Sequence, residues 1–152
     1  MDFVARPIAF VHNERREVID DDWGDVVSSI ELADDVPSES LRGLEKFSHV
    51  EVVFFASRAE DVPPGPWHRR PRGNERWPDV GVFAQRNKDR PNRLMLSVAT
   101  IERVEERSLV VRGLDALDAT PVLDIKPVYA WSGPRGELRV APWSTELGEH
   151  YF

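Results

Sequence analysis

The chain alternates short runs of β-branched and aromatic residues with clusters of turn formers, which is a pattern of strands rather than helices. Runs at residues 6–12, 28–32, 50–56, 80–84, 96–104, 108–114 and 122–129 each predict a strand. The run at 50–56 is the most apolar and is expected to be central. Residues 96–104 and 108–114 alternate with period two, and Glu105-Glu106-Arg107 between them reads as a hairpin turn. In 122–129, Asp124 and Lys126 fall on one face, and Pro127 puts the end of that strand at an edge or bend. One helical signal stands out. Residues 37–44 predict one or two turns, with Ser38 as N-cap and Leu41 and Leu44 facing inward. Prolines punctuate the connections, notably Pro63-Pro64-Gly65-Pro66, Pro71 and Pro134. Residues 57–79 hold too few apolar positions for an element and read as a long loop, of a length that compact domains keep for function or mobility. Six to eight strands around one core predict a mainly β fold. The expected form is a single closed or nearly closed β-barrel over 1–152, with one or two short helices and no Rossmann unit.

Composition narrows the chemistry. The chain has 152 residues, 41% of them hydrophobic, enough for one core. It has no cysteine, which excludes a disulfide scaffold, a cysteine–zinc site, an iron–sulfur cluster and a thiol nucleophile. The longest apolar run, residues 52–56, is far short of the roughly 20 residues of a membrane helix. The opening residues carry no signal-peptide pattern, so a cytoplasmic protein is expected. The net charge of −7 argues against binding nucleic acid through the bulk field. Residues 68–93 are the exception. Eight Lys and Arg against three carboxylates give that stretch +5 and leave −12 for the rest. A basic island in an acidic chain reads either as a local anion site or as a solvated loop.

Several familiar motifs are missing: a glycine-rich dinucleotide turn, a phosphate-binding loop, a zinc-protease helix and a nucleophile elbow. The four histidines are scattered without ligand spacing, so no metal is expected. Three stretches carry candidate chemistry. Residues 81–93 run from a short apolar strand into a loop dense with guanidinium and amide groups. There Arg86 and Arg90 could fork onto a carboxylate or phosphate, or Arg90 could simply pair with Asp89 or Asp79. Residues 113–127 place carboxylates in and around an apolar strand. Asp118 and Thr120 could alternatively serve only a turn before Pro121. His49, at the start of the central run, reads as a structural hydrogen-bonder or a proton acceptor.

Four motifs in order resemble one family. They are Gly-Leu-Glu-x-Phe-Ser-His at 43–49, Arg-Pro-Arg-Gly at 70–73, Gly-Val-Phe-Ala-x-Arg-x-x-x-Arg-Pro-Asn at 81–92 and Asp-x-Thr-Pro-Val-Leu-Asp-Ile-Lys-Pro at 118–127. On these the chain is similar to the TsaA/TrmO-type family, β-barrel methyltransferases that use S-adenosylmethionine and act on N6 of threonylcarbamoyladenosine beside the tRNA anticodon. The resemblance implies a homodimer with the cofactor near the subunit interface. It implies cofactor contacts at Arg86, at Leu96, at Asp118-Ala119-Thr120-Pro121, and in Asp22-Trp23-Gly24 and Ala56-Ser57. tRNA phosphates would meet Arg69, Arg70, Arg72, Arg90 and Asn92, with Trp67 or Trp77 stacking on a base. If a general base is needed, His49 and Asp124 are the candidates.

The chain departs from the family pattern at several points. Asn92-Arg93-Leu94-Met95 stands where members carry Asn-Pro-Ile-Gly. Ala119 replaces a glycine, and Ser57 a common histidine. Lost glycines are expected to reshape a turn or pocket. Ending at Phe152, the chain is also expected to lack a further domain that some bacterial members use with tRNA. These departures keep two rival expectations alongside the tRNA enzyme. One is a methyltransferase of the same fold acting on a small molecule, and the other is a non-catalytic S-adenosylmethionine-binding protein.

Overall fold

A computed structural model describes residues 3–59 and 67–152. Six strands close into one antiparallel barrel: β1 (Ala9–His12), β2 (Val27–Leu32), β3 (His49–Phe55), β6 (Leu94–Val104), β7 (Ser108–Arg112) and β8 (Pro121–Pro127). Around the barrel the order is β1-β2-β7-β6-β3-β8. A separate two-stranded ribbon pairs β4 (His68–Arg69) with β5 (Val80–Gly81). The mainly β, non-Rossmann barrel expected from the sequence is the fold observed.

Alternation builds the core. Ala9 and Val11 of β1, Ile30 and Leu32 of β2, Val50, Val52 and Phe54 of β3, and Leu109 and Val111 of β7 point inward and are buried. Their neighbours Phe10, His12, Glu51 and Val53 face outward. A six-stranded barrel is narrow, so small residues share the interior with large ones; Ala99, Ser97 and Ser28 are all buried. β3 is paired on both sides, with β6 and β8, as its central reading requires. β6 serves two neighbours in turn. Its first half pairs with β3 and its second with β7, with a register shift between Ile101 and Arg103. A second shift on β8, between Val53 and Phe54 of β3, leaves Leu123 unopposed.

The structure corrects several local expectations. The helical turns at 37–44 are two 3-10 segments, Ser38–Leu41 and Leu44–Lys46, because Gly43 between them has φ of 96° and breaks the helical path. Pro37, not Ser38, occupies the cap position, and no side chain caps the turn. Leu41 is buried, as expected. The run at 80–84 is strand only through Gly81 and then turns into a 3-10 segment, Val82–Ala84. Residues 57–79 contain β4 and the turn Pro71–Gly73 rather than loop alone. The Pro63–Pro66 cluster lies outside the described residues. A short helix, α1 (Pro142–Leu147), has no counterpart in the sequence pattern.

All barrel neighbours are antiparallel, so the connections sort cleanly to two ends. At one end, called here the upper end, β1, β3 and β7 finish and β2, β6 and β8 begin. Its three connections are residues 13–26, 56–93 and 113–120. The opposite end carries residues 33–48, the 105–107 turn and the chain leaving β8.

The last upper connection ends in a tight reversal closed by a hydrogen bond from Thr120 N to Leu117 O at 3.2 Å. Within it Ala119 has φ of +64°, a conformation that favours glycine because a Cβ crowds the following carbonyl. Restoring the family glycine with Ala119→Gly should therefore stabilise the fold, by about 0.5–1 kcal/mol once glycine's greater unfolded-state entropy is counted. Urea unfolding checks this as a raised midpoint with unchanged slope.

Candidate functional site

The upper end gathers nearly every residue that the sequence nominated for the cofactor. Asp22-Trp23-Gly24 lies in the first connection, Ala56-Ser57 and Arg86 in the second, and Asp118–Ala119–Thr120 in the third, with Pro121 opening β8. Leu96 is the third residue of β6 and faces outward.

Asn13, which follows β1, organises this end. Its backbone N–H donates to Asp118 Oδ1 at 3.2 Å, and its amide donates to Ser28 Oγ and to Ala116 O, each at 2.9 Å. Its carbonyl oxygen accepts from Arg15 N at 2.9 Å. Main-chain bonds complete the corner: Asp118 N to Arg15 O at 2.9 Å, Ala119 N to Val11 O at 2.7 Å and Val11 N to Thr120 O at 3.0 Å. The Asp118 carboxylate is thereby fixed beside an imidazole and a guanidinium. His12 Nδ1 and Arg16 Nε each stand 3.9 Å from it, and His12 Nε2 lies 3.3 Å from Glu31.

Arg15 joins this corner to the first connection. Its guanidinium donates to the Asp21 and Asp22 carbonyls and lies 4.6 Å from the centre of the Trp23 ring. Trp23 is buried, so it serves as a packed platform with one face already taken by Arg15. Asp22 adopts φ of 61°. Asp21 accepts both arms of Arg72, at 2.7 and 3.0 Å, and this paired guanidinium holds its carboxyl below the usual carboxylate range. Arg58 Nη1 donates to Arg16 O at 2.8 Å. The first and second connections are thus tied together twice.

Arg86 extends one guanidinium nitrogen to Leu96 O at 2.6 Å, leaving its other donors for a ligand. The two residues that the motif placed apart in sequence are in direct contact. Leu96 pairs with Val53, and Val53 with Asp124, so one strand separates the Arg86 anchor from β8. At the top of β3, Ala56 N donates to Arg93 O at 3.0 Å, and Arg93 lies over the Phe55 ring and donates to Ala59 O.

The basic island is largely engaged within the protein. Arg69 pairs with Asp89 at 2.7 Å and Arg72 with Asp21, while Arg70 donates to the carbonyls of Glu75 and Trp77 and Arg90 to Gln85 O. Asp79 is taken by His68 at 2.9 Å. Asn92 is exposed in the turn before β6. Of the two tryptophans expected to stack, Trp77 is buried and donates to Glu146 at 2.8 Å, so it is not available. Trp67 is exposed beside Phe83, at 6.3 Å between ring centres.

The two candidate bases lie elsewhere. His49 opens β3 at the opposite end, about 20 Å of strand from Phe55, and shares a 2.7 Å hydrogen bond with Ser48. Asp124 sits midway along β8 with its carboxylate on Lys126 and on Ile125 N. Among the described residues no cluster of His, Asp or Glu is arranged to hold a metal ion, and no helix is long and apolar enough to cross a membrane. Asn13, Arg15 and Tyr151 escape sequence reading, because their partners at this end are distant in the chain; Asp115 is one of the carboxylates of the 113–127 stretch.

Comparison with known proteins adds to this geometry. The model of the tRNA-methyltransferase O N-terminal domain matches residues 21–132. A Homo sapiens tRNA (adenine(37)-N6)-methyltransferase is 39% identical over 116 residues, covering 75% of this chain and 26% of that protein. An Archaeoglobus fulgidus S-adenosyl-L-methionine-binding protein is 37% identical over 109 residues, covering 68% of this chain and 70% of that protein. The crystal structure of TrmO from Pseudomonas aeruginosa superposes with a TM-score of 0.75 at 30% identity, over 91% of this chain and 61% of that one. The chain spans between 21% and 39% of the length of the first curated relatives it matches.

Proposed function

The chain belongs to the family of tRNA-methyltransferase O N-terminal domains, and from that membership we propose that it is an S-adenosylmethionine-dependent methyltransferase whose acceptor is N6 of threonylcarbamoyladenosine beside a tRNA anticodon. One observation carries the reading. Three connections far apart in sequence converge on a single end of the barrel, and they bring with them four of the five nominated cofactor stretches, with Leu96, the fifth, on β6 in contact with Arg86.

The residues suit the cofactor's chemistry. The free donors of Arg86 match its carboxylate, and the fixed acceptor of Asp118 matches a ribose hydroxyl or the ammonium. When bound, the cofactor supplies an electrophilic methyl on a positively charged sulfur. The protein's part is alignment and exclusion of water: the hydrogen-bonded Asn13–Asp118 corner and the Arg86–Leu96 anchor would hold the ligand from two sides. The acceptor N–H is already polarised by its neighbouring carbonyl, so the reading invokes no strong general base. It extends to a homodimer, with Leu94, Leu96 and Val98 forming an outward apolar stripe on β6 for a second copy to cover, and to a cytoplasmic setting with the tRNA.

A specific observation favours a second reading. Arg69 and Arg72 are already in ion pairs, which leaves fewer cations for phosphates and suits a small-molecule acceptor. Transfer of a radiolabelled methyl group separates the readings. Label entering native tRNA, but not a transcript lacking the threonylcarbamoyl group, is the expected result. Label entering a metabolite and never RNA would replace the acceptor. Calorimetric binding of the cofactor with no turnover on either would leave only a binding protein.

A further inference from the structure

After α1 the chain returns to the upper end and runs alongside the Asp22–Gly24 loop. His150 O accepts from Asp22 N and Tyr151 O from Trp23 N, both at 2.9 Å. These two bonds meet the loop where Asp22 holds φ of 61°, a left-handed turn that aspartate adopts more readily than most residues. The fit is close: a Cβ on Gly24 would stand 2.7 Å from the main-chain carbon of Phe152.

The Tyr151 side chain then reaches the other wall of the site. Its hydroxyl donates to Asp115 Oδ2 at 2.5 Å, three residues before Asp118. Asp115 Oδ1 is buried without a partner, so the tyrosine is the only hydrogen bond this carboxylate has among the described residues. One residue therefore holds the first connection by its main chain and the third by its phenol. Burial and the adjoining carboxylate push the phenol's ionisation far above its ordinary range, so the donor stays protonated.

We infer that Tyr151 is a positioning residue for the cofactor: it clasps the Asp22–Gly24 loop to the segment carrying Asp118 and so sets the width of the site between them. The inference rests on the cofactor reading above. It names a residue outside every motif, and it acts through the loop rather than through the ligand.

The test uses the full chain and S-adenosylmethionine as the calorimetric probe, well below each variant's unfolding midpoint. Tyr151→Phe removes only the hydroxyl. It should raise the cofactor Kd about tenfold, and the KM for cofactor equally, with kcat within about twofold. Asp115→Ala should do the same, and the double variant should be no worse than either single one, the signature of one shared interaction. Asp115→Asn keeps an oxygen that accepts the phenol's proton and should bind within about threefold of the wild type. A purely structural tyrosine would lower the thermal midpoint and leave Kd unmoved. Kd within twofold of wild type in Tyr151→Phe, or in Asp115→Ala should the former not fold, would overturn the inference alone. Failure of the wild-type protein to bind S-adenosylmethionine would overturn the cofactor reading and the inference with it.

Discussion

Replacing Asn13 with alanine is expected to lower stability by about 2–4 kcal/mol and to weaken cofactor binding by at least about tenfold. The Asn13 amide satisfies the hydroxyl of Ser28, which is fully buried, and the carbonyl of Ala116. Alanine leaves both without that donor, and an unsatisfied buried polar group costs about 1–3 kcal/mol. It also releases Arg15 N, whose residue anchors Asp118 N through its carbonyl and Trp23 through its guanidinium. The corner and the loop should therefore loosen together. Urea unfolding would record a lower midpoint with unchanged slope, and calorimetry with S-adenosylmethionine the loss of affinity. A variant as stable as the wild type would mean that Ser28 and Ala116 find other partners and that Asn13 does not organise this end.

Arg86→Ala should give the complementary result, a large loss of binding with no loss of fold. The side chain is exposed and, among the described residues, its one hydrogen bond goes to a main-chain oxygen, so stability should change by less than about 0.5 kcal/mol. A charge-assisted hydrogen bond to a ligand anion contributes about 1.5–3 kcal/mol, equivalent to roughly a 10- to 150-fold rise in Kd. Lysine should not restore binding. An ammonium is a point charge and cannot hold the Leu96 carbonyl with one arm while presenting a planar fork with the other. Unchanged affinity in Arg86→Ala would remove this residue from the site.

The barrel was legible because strand alternation is local. Ala9 and Val11, or Val50, Val52 and Phe54, declare an inward face within a few residues, and only that face can be buried. The elements that escaped depend on distant contacts. β4 has no apolar pattern and exists through main-chain pairing with Val80 and Gly81. α1 is six residues long, too short to repeat an amphipathic pattern, and its Trp143 packs against Trp77 with ring centres 6.4 Å apart. The turns at 37–44 failed as one helix for a local reason that the sequence did contain, since Gly43 invites a left-handed break.

The site divides in the same way. Arg86, Leu96 and Asp118 were nominated from motifs. Asn13, Arg15 and Tyr151 were not, because an asparagine before a turn or a tyrosine near Phe152 carries no local mark of its role. Asn13 acquires that role from Asp118, 105 residues away, and Tyr151 from Asp115, 36 residues away. Charge counting had the opposite fault. It found the basic island but could not see that Arg72 is spent on Asp21, 51 residues earlier, or Arg69 on Asp89.

The closure of the six-stranded barrel has a consequence for how this protein can meet other chains. Each barrel strand has a neighbour on both sides, yet the pairing is partial: among the described residues β6 meets β7 only from Thr100 to Val104, so residues 94–99 pair with β3 alone, and β8 meets β1 only at Pro121 and Val122. An added strand therefore has backbone to pair with only at those partial flanks, and none where a strand is bonded on both sides. Over the fully paired stretches, assembly on the wall is a side-chain affair, open to tuning by single surface substitutions without unzipping the sheet.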